Sequence, residues 1–189
     1  MFIQTEQTPN PSTLKFLPGK ILLEKGTMEF KSPEEAVRNS LASKLFAEEN
    51  VKGVFIGKDF LTVTKSGSVE WEVLKPTLLS LILDYFSSGG EIEKVDSKAK
   101  SFGEKLKYSK KDQEIVNKIK DLLEERIRPA VAQDGGDINF VKLQKGVVFL
   151  ELRGACSGCP SSTITLKSGI ENMLKYYIPE IQSVEAINQ

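Results

Sequence analysis

Apolar residues recur at helical spacing in two stretches of the first half of the chain. Ser32 is a good N-cap residue, Pro33 fits the first helical position, and the acidic residues that follow suit the positive end of a helix. The apolar positions after this start are Ala36, Val37, Leu41, Leu45 and Phe46, and they predict one helix. A second helix is predicted from Trp71 to Phe86, with Pro76 in its first turns, and we expect Trp71 and the leucine-rich run to lie in a core.

Strands are predicted before the first of these helices and between the two. A short strand from Leu14 to Leu17 follows the turn signal Pro9-Asn10-Pro11-Ser12 and is closed by Pro18-Gly19. The stretches 51–56 and 60–64 flank Gly57-Lys58-Asp59, a pattern typical of a β-hairpin. The first half is therefore predicted to be a mixed α and β body.

The second half begins with a helix. Ser109 and Asp112 have the spacing of a capping box. The apolar face that follows comprises Ile115, Val116, Ile119, Leu122, Leu123 and Ile127. We expect this helix to end over Pro129 and the run Asp134-Gly135-Gly136-Asp137, which we interpret as a tight turn between helix and strand rather than a metal site.

A hairpin, a helix and a strand complete the second half. The stretches 138–143 and 147–152 alternate around Lys145-Gly146 and predict the hairpin. Pro160 begins a helix and Pro179 ends it, and 181–187 is predicted as a last strand. The apolar residues assigned to that helix are Ile164, Ile170, Met173, Leu174 and Tyr177. The order α-β-β-α-β predicts a small α+β layer whose helices cover one sheet face.

The composition changes between these halves. From Ser87 to Lys111 the chain is rich in Lys, Glu, Ser and Gly and poor in apolar residues, so little surface is available for burial. We predict an α+β protein of two small domains, 1–87 and 110–189, joined by a linker at 88–109. The alternative is a surface segment of a single domain, with some of its apolar residues docked locally, namely Ile92, Val95, Phe102 and Leu106.

Charge and composition limit the classes of partner and the compartments that fit the chain. The chain has 189 residues, 26 basic and 26 acidic side chains, and a formal net charge of zero, which argues against nucleic acid as the main partner. No apolar run approaches the roughly 18 residues that span a bilayer. The segment from Met1 to Asn10 has neither the pattern of a secretory signal nor the arginine content of a transit peptide. With two cysteines, we expect a reducing, intracellular compartment.

Both cysteines lie in the run Gly154-Ala155-Cys156-Ser157-Gly158-Cys159-Pro160, and the chain has no histidine. We expect the start of the following helix to stabilise a thiolate, so that at least Cys159 is more acidic than a free cysteine. Gly154 and Gly158 allow close approach of the backbone to whatever the sulfur atoms bind. The motif contains no acid or base for proton transfer.

Spacing alone leaves four interpretations of Cys156 and Cys159. Iron–sulfur clusters usually take four thiolates, and two copies of this loop in a homodimer would supply them. A thiol–disulfide oxidoreductase uses two cysteines at the same spacing near a helix start. The other two interpretations are zinc bound across a dimer and cysteines of purely structural role.

Longer stretches carry a resemblance. The turn at 134–137, the hairpin and the run 152–171 around the cysteines resemble the C-terminal domain of NifU, the Nfu family, over about residues 110–188. The start, Thr5 to Phe16, resembles the N-terminal domain of the same proteins. The resemblance implies that Cys156 and Cys159 ligate a [4Fe-4S] cluster at a homodimer interface. It also implies a carrier, not an enzyme, that receives its cluster from iron–sulfur assembly proteins and passes it to apo-proteins in a bacterial cytoplasm or a mitochondrial matrix. We expect an exposed loop that leaves room for an acceptor.

Overall fold

The computed structural model describes residues 2–67, 69–93, 108–157 and 160–187, except for the side chains at 160–162. It divides into two compact units, Met1–Ser97 and Lys98–Gln189. Most of the predicted linker, 94–107, lies outside the described residues, as do Gly158 and Cys159.

The first unit is built on a five-stranded antiparallel sheet in the order β1-β2-β5-β4-β3. Its elements are β1 (Gln4–Gln7), β2 (Thr13–Leu17), β3 (Met28–Phe30), α1 (Pro33–Ala36), α2 (Ser40–Phe46), β4 (Val51–Ile56), β5 (Leu61–Lys65) and α3 (Trp71–Ser87). The predicted hairpin is β4 and β5, and the helix predicted from Trp71 is α3, so both predictions are confirmed. The strand predicted at 14–17 is β2.

One sheet face and the helices share the core of this unit. Phe16, Leu61 and Ile56 lie opposite one another on adjacent strands, and all three side chains are fully buried. Leu78 and Ile82 of α3 belong to the same cluster. Trp71 packs against this cluster while staying partly exposed, and its Nε1–H donates to the Pro11 carbonyl over 2.9 Å.

The single helix predicted after Ser32 is wrong, since α1 ends at Ala36 and α2 begins at Ser40. Asn39 lies between them in an extended conformation, and its side chain accepts a hydrogen bond from the Ala42 N–H over 2.9 Å. An asparagine that caps a new helix competes with continuation of the old one. Val37, one of the apolar positions of the predicted helix, falls in the break between α1 and α2 and is 74% exposed.

The described ends of the predicted linker contact their own units. Ile92 packs against the core of the first unit, and the Ser40 N–H donates to the Glu93 carboxylate over 2.8 Å. At the other end, the Leu143 N–H donates to the Tyr108 hydroxyl over 3.1 Å. The composition of the segment therefore did not predict that residues at both of its ends make specific contacts with the folded units.

The second unit has a three-stranded sheet in the order β6-β7-β8, with β6 antiparallel and β8 parallel to β7. Its elements are α4 (Lys110–Leu122), a π-helical turn (Leu123–Ile127), α5 (Arg128–Gln133), β6 (Gly136–Gln144), β7 (Val147–Gly154), α6 (Pro160–Tyr177) and β8 (Ser183–Ile187). The predicted order of helices and strands is confirmed, and with both units mixing sheets and helices the α+β fold class is confirmed. Among the described residues, no helix is both long and apolar enough to cross a membrane.

Pro129 does not end the first helix of this unit, contrary to the prediction. The π-helical turn precedes it, and the Arg128 N–H donates to the Leu123 carbonyl five residues back. A proline ring would clash with the carbonyl four residues earlier in a regular α-helix. The wider turn accommodates that ring, and helical structure continues to Gln133 before the predicted turn at 134–137.

The apolar face predicted for α6 is only partly right. Ile170 and Leu174 are buried, but Ile164 is 66% exposed and Tyr177 is 45% exposed. Ile164 and Ile170 are six residues apart, which places them on different sides of a helix with 3.6 residues per turn.

The buried hydroxyl of Thr62 is expected to lower the free energy of unfolding of the first unit, and this can be tested. Thr62 Oγ1 is buried with no hydrogen-bond partner among the described residues, whereas Thr64 Oγ1 lies 2.9 Å from Thr13 Oγ1. We expect Thr62→Val to raise the free energy of unfolding by about 1 kcal/mol, because an unsatisfied hydroxyl is removed. The matched Thr64→Val should lower it by a similar amount. Urea unfolding followed by fluorescence of Trp71, the one tryptophan of the chain, measures both, and equal effects of the two variants would contradict the assignment.

Candidate functional site

The loop that carries Cys156 begins where the β6–β7 ladder ends. Gly154 is the last residue of β7, lies opposite Gly136 and has a φ of +64°. The next amide, that of Ala155, donates to the Gly135 carbonyl over 3.1 Å. The loop therefore folds back over the turn between α5 and β6 as it leaves the strand.

Cys156 lies directly against Gly136. A Cβ atom on Gly136 would be 2.6 Å from Cys156 Sγ and 2.7 Å from the Arg153 carbonyl oxygen. Both separations are too short for any side chain, so only glycine allows this approach. Cys156 is 6% exposed and belongs to the core cluster of the second unit.

Two side-chain contacts fix the loop on either side of the sulfur. The Ser157 hydroxyl donates to the Gly154 carbonyl over 3.0 Å, which closes the loop on the end of the strand. The Thr163 hydroxyl donates to the Cys156 carbonyl over 3.2 Å, which ties the loop to the first turns of α6. Strand, loop and helix thus form one hydrogen-bonded segment.

The surroundings of Cys156 favour the neutral thiol. Burial raises the pKa of Cys156 to about 12, and the negative charges of Asp134 and Asp137 contribute in the same direction. The expectation of an exposed loop is therefore wrong for Cys156. The expected acidity of Cys159 concerns a residue outside the described part of the chain and stays a prediction.

The turn between α5 and β6 interpreted from the sequence is present but shorter, since it comprises Asp134 and Gly135, and Gly136 and Asp137 already belong to β6. Gly135 has a φ of +81°. Within the described ranges, no group of three or more Cys, Asp or Glu side chains is arranged to hold a metal ion. What the sequence did not reveal is that Gly136, the first residue of β6 after this turn, forms the floor beneath Cys156. Two glycines before a strand indicate a special backbone, but not which side chain they accommodate.

Asp137 is the buried end of a polar network behind this turn. It is 7% exposed, and its Oδ1 lies 3.1 Å from Arg128 Nε. Arg128 also contacts Asn139 and Glu124, and Glu151 lies between Asn139 and Arg153. Sequence reasoning had not assigned any of these residues to the site.

Substitution of Gly136 tests the contact with Cys156. We expect Gly136→Ala to lower the free energy of unfolding by about 1–3 kcal/mol and to displace the sulfur, because the new methyl group overlaps Sγ and a carbonyl oxygen. Gly169→Ala is the matched control, since Gly169 is in α6 with nothing within 4 Å of the added atom. Urea unfolding and the rate of Cys156 alkylation measure both effects. A Gly136→Ala protein as stable as the control would contradict the geometry.

The raised pKa of Cys156 has a measurable pH dependence. In the folded Cys159→Ser variant, alkylation by iodoacetamide should be at least tenfold slower at pH 8 than in the same variant unfolded in urea. The folded rate should continue to rise toward pH 12, because only the thiolate reacts. The unfolded rate should level off above the ordinary thiol pKa of about 8.5. Coincident pH profiles would show that the thiol is not shielded.

Comparison with known proteins follows the division into two units. The family model described as the scaffold protein Nfu/NifU N terminal matches residues 3–89. The model of the NifU-like domain matches residues 119–185, the region of the cysteine loop. A solution NMR structure of a NifU-like protein from Saccharomyces cerevisiae is similar with a TM-score of 0.45 and 31% identity, covering 49% of this chain and 85% of that one.

Two curated relatives match almost the whole chain. The human NFU1 iron-sulfur cluster scaffold homolog, mitochondrial, is 48% identical over 188 residues, which are 99% of this chain and 72% of that protein. NifU-like protein 4, mitochondrial, of Arabidopsis thaliana is 48% identical over 187 residues, which are 98% of this chain and 65% of that protein. Both family models match, and these relatives are 48% identical over almost the whole chain. The chain therefore belongs to the Nfu/NifU family of scaffold proteins.

Proposed function

We propose that this protein is an iron–sulfur cluster carrier that binds a [4Fe-4S] cluster through Cys156 and Cys159 of two subunits and transfers it to apo-proteins. The observation that carries the proposal is the position of Cys156 at the junction of β7 and α6, over a glycine that permits no side chain beneath the sulfur. The printed names of the relatives, iron-sulfur cluster scaffold and NifU-like protein, support the same chemistry.

The donors of the chain fit a cluster shared between copies. The sequence contains two cysteines and no histidine, so one chain offers two soft sulfur donors. A cubane cluster is usually held by four thiolates. Two chains related by a two-fold axis supply that number, and such an arrangement makes the cluster itself a bond between the subunits.

Loading requires a change at Cys156. A thiolate is the metal ligand, but the burial of Cys156 and two nearby carboxylates keep the thiol protonated. The side chain must turn away from Gly136 toward solvent, lose its proton and bind iron. The metal-free protein therefore keeps the thiol covered, and cluster binding and loop opening are coupled.

Release follows from the same arrangement. Thiolates of an acceptor apo-protein replace the carrier's ligands. Once the iron–sulfur cluster has left, Cys156 regains a proton and returns to the hydrophobic core of its unit. A neutral thiol behaves as a small apolar group, so its return to a buried position favours the cluster-free protein.

The proposed donors of the cluster are iron–sulfur assembly proteins. The relatives named above carry the word mitochondrial, which supports the mitochondrial matrix as the compartment.

The structure gives less support to a thiol–disulfide oxidoreductase. The attacking cysteine of such an enzyme has a lowered pKa and an accessible sulfur. Cys156 has a raised pKa and is 6% exposed, so it lacks both properties. The scaffold description of the family also names no catalytic activity.

Anaerobic reconstitution with iron and sulfide tests the proposal. We expect the visible absorbance of a [4Fe-4S] cluster, about two iron and two sulfide per chain, and a doubled molecular mass that reverts on chelation. Cys156→Ser and Cys159→Ser should each abolish the cluster, because two of its four ligands are lost per dimer.

The control keeps the number of thiols and changes their spacing. The double variant Cys156→Ser with Ser168→Cys places the second thiol at an exposed position of α6. It should bind no stable cluster. Clusters of equal yield in this control, or in Cys156→Ser alone, would overturn the assignment of ligands. Reductase activity of the cluster-free protein, lost in the same variants, would favour the oxidoreductase instead.

A further inference from the structure

Arg128 connects the helical half of the second unit to the first residues of β6. Its Nε–H donates to the Ile138 carbonyl over 3.1 Å and lies 3.1 Å from Asp137 Oδ1. Its Nη2 donates to the Asn139 side chain over 2.6 Å. One guanidinium therefore contacts three consecutive residues of the strand, in a planar fork that a lysine cannot reproduce.

The backbone conformation around Arg128 brings this side chain to the strand. Arg128 directly follows the π-helical turn, and its own N–H makes the five-residue hydrogen bond that defines the turn. A π-helical turn contains more residues than an α-helical one, so it changes the direction in which the next side chains point. Such turns are often retained at functional sites.

The contacts of Arg128 begin one residue beyond the floor of the cysteine site. Asp137 is the neighbour of Gly136, whose backbone lies against Cys156 Sγ. Asp137 is largely buried, and its carboxylate forms an ion pair with the guanidinium. Any shift of Asp137 moves Gly136 and changes the space beneath the sulfur. Arg128 itself touches neither the sulfur nor the loop in any described contact, so it acts through the strand.

We propose that Arg128 is a positioning residue for Cys156: by holding residues 137–139 against α5 it keeps Gly136 beneath the sulfur, and so sets how often the cysteine loop opens. The second part of the inference, that loop opening limits cluster uptake, rests on the proposed function. The first part concerns the metal-free protein alone. Weakening the contacts of Arg128 loosens the position of Gly136, and the loop then detaches from Gly135 and Gly136 more often.

The experiment compares Arg128→Lys and Arg128→Gln with Glu124→Gln in the full chain carrying Cys159→Ser. Glu124 is the outer partner of Arg128, is 62% exposed at its side chain, and its substitution leaves the contacts with β6 in place. The first readout is the rate of Cys156 alkylation by iodoacetamide at pH 8. The second is amide hydrogen exchange of Ala155, whose N–H bonds to Gly135, relative to that of Leu150 in the middle of the sheet.

We expect the alkylation rate to rise at least tenfold in Arg128→Gln and less in Arg128→Lys, which keeps the charge but not the fork. Glu124→Gln should stay within twofold of the parent. Exchange at Ala155 should accelerate while exchange at Leu150 does not. Equal acceleration at both amides, or no change in alkylation in a folded variant, would overturn the inference. Where Arg128→Gln does not fold, Arg128→Lys and Asn139→Ala provide the same comparison.

A separate arm tests the link to cluster uptake. The Arg128 variants are made in the chain that retains both cysteines, and the rate of cluster formation during anaerobic reconstitution is measured. We expect faster uptake in Arg128→Lys than in the parent. If the parent binds no cluster, the proposed function fails while the alkylation and exchange results still decide the role of Arg128. If clusters form at equal rates despite faster alkylation, opening of the loop does not limit uptake.

Discussion

The contact between Cys156 Sγ and the backbone of Gly136 is the constraint on which the cysteine site depends. A Cβ on Gly136 would come within 2.6 Å of the sulfur, so residue type, strand position and loop path are determined together. The glycine must begin β6, the ladder must bring Gly154 opposite it, and the loop must fold back so that Ala155 bonds to Gly135. The site therefore belongs to the sheet edge as much as to the cysteine motif.

A cluster carrier must protect its thiols when it is empty and must release its cluster when it is loaded, and the burial of Cys156 serves both requirements. A thiol that binds iron avidly is also open to oxidation and to stray metals, since all three reactions use the thiolate. Burial of Cys156 with a raised pKa suppresses each of them in the metal-free protein. The same burial weakens net binding of the cluster, because the empty state is stabilised, and weak net binding suits a protein whose proposed task is to pass its cargo on.

Much of the fold could be predicted because local patterns agreed with the tertiary structure. The hairpins, α3 and the capping box at Ser109 depend on periodicity and turn chemistry within a few residues. The errors arose where a competing interaction decided the outcome. Asn39 caps a new helix, and a π-helical turn before Pro129 allows helical structure to continue past the proline. The motif identified Cys156, but its burial depends on contacts from residue 136, distant in sequence, which no local pattern encodes.

The parallel pairing of β8 with β7 has a consequence for how the second unit is made. β7 is the central strand, and one of its edges is completed only by residues 183–187, after the whole of α6. Strand pairs that are far apart in sequence form late, since a long loop must close before any contact compensates for it. During synthesis, the cysteine loop is made before β8. The thiol of Cys156 is therefore accessible to chaperones and cellular reductants before the sheet is complete.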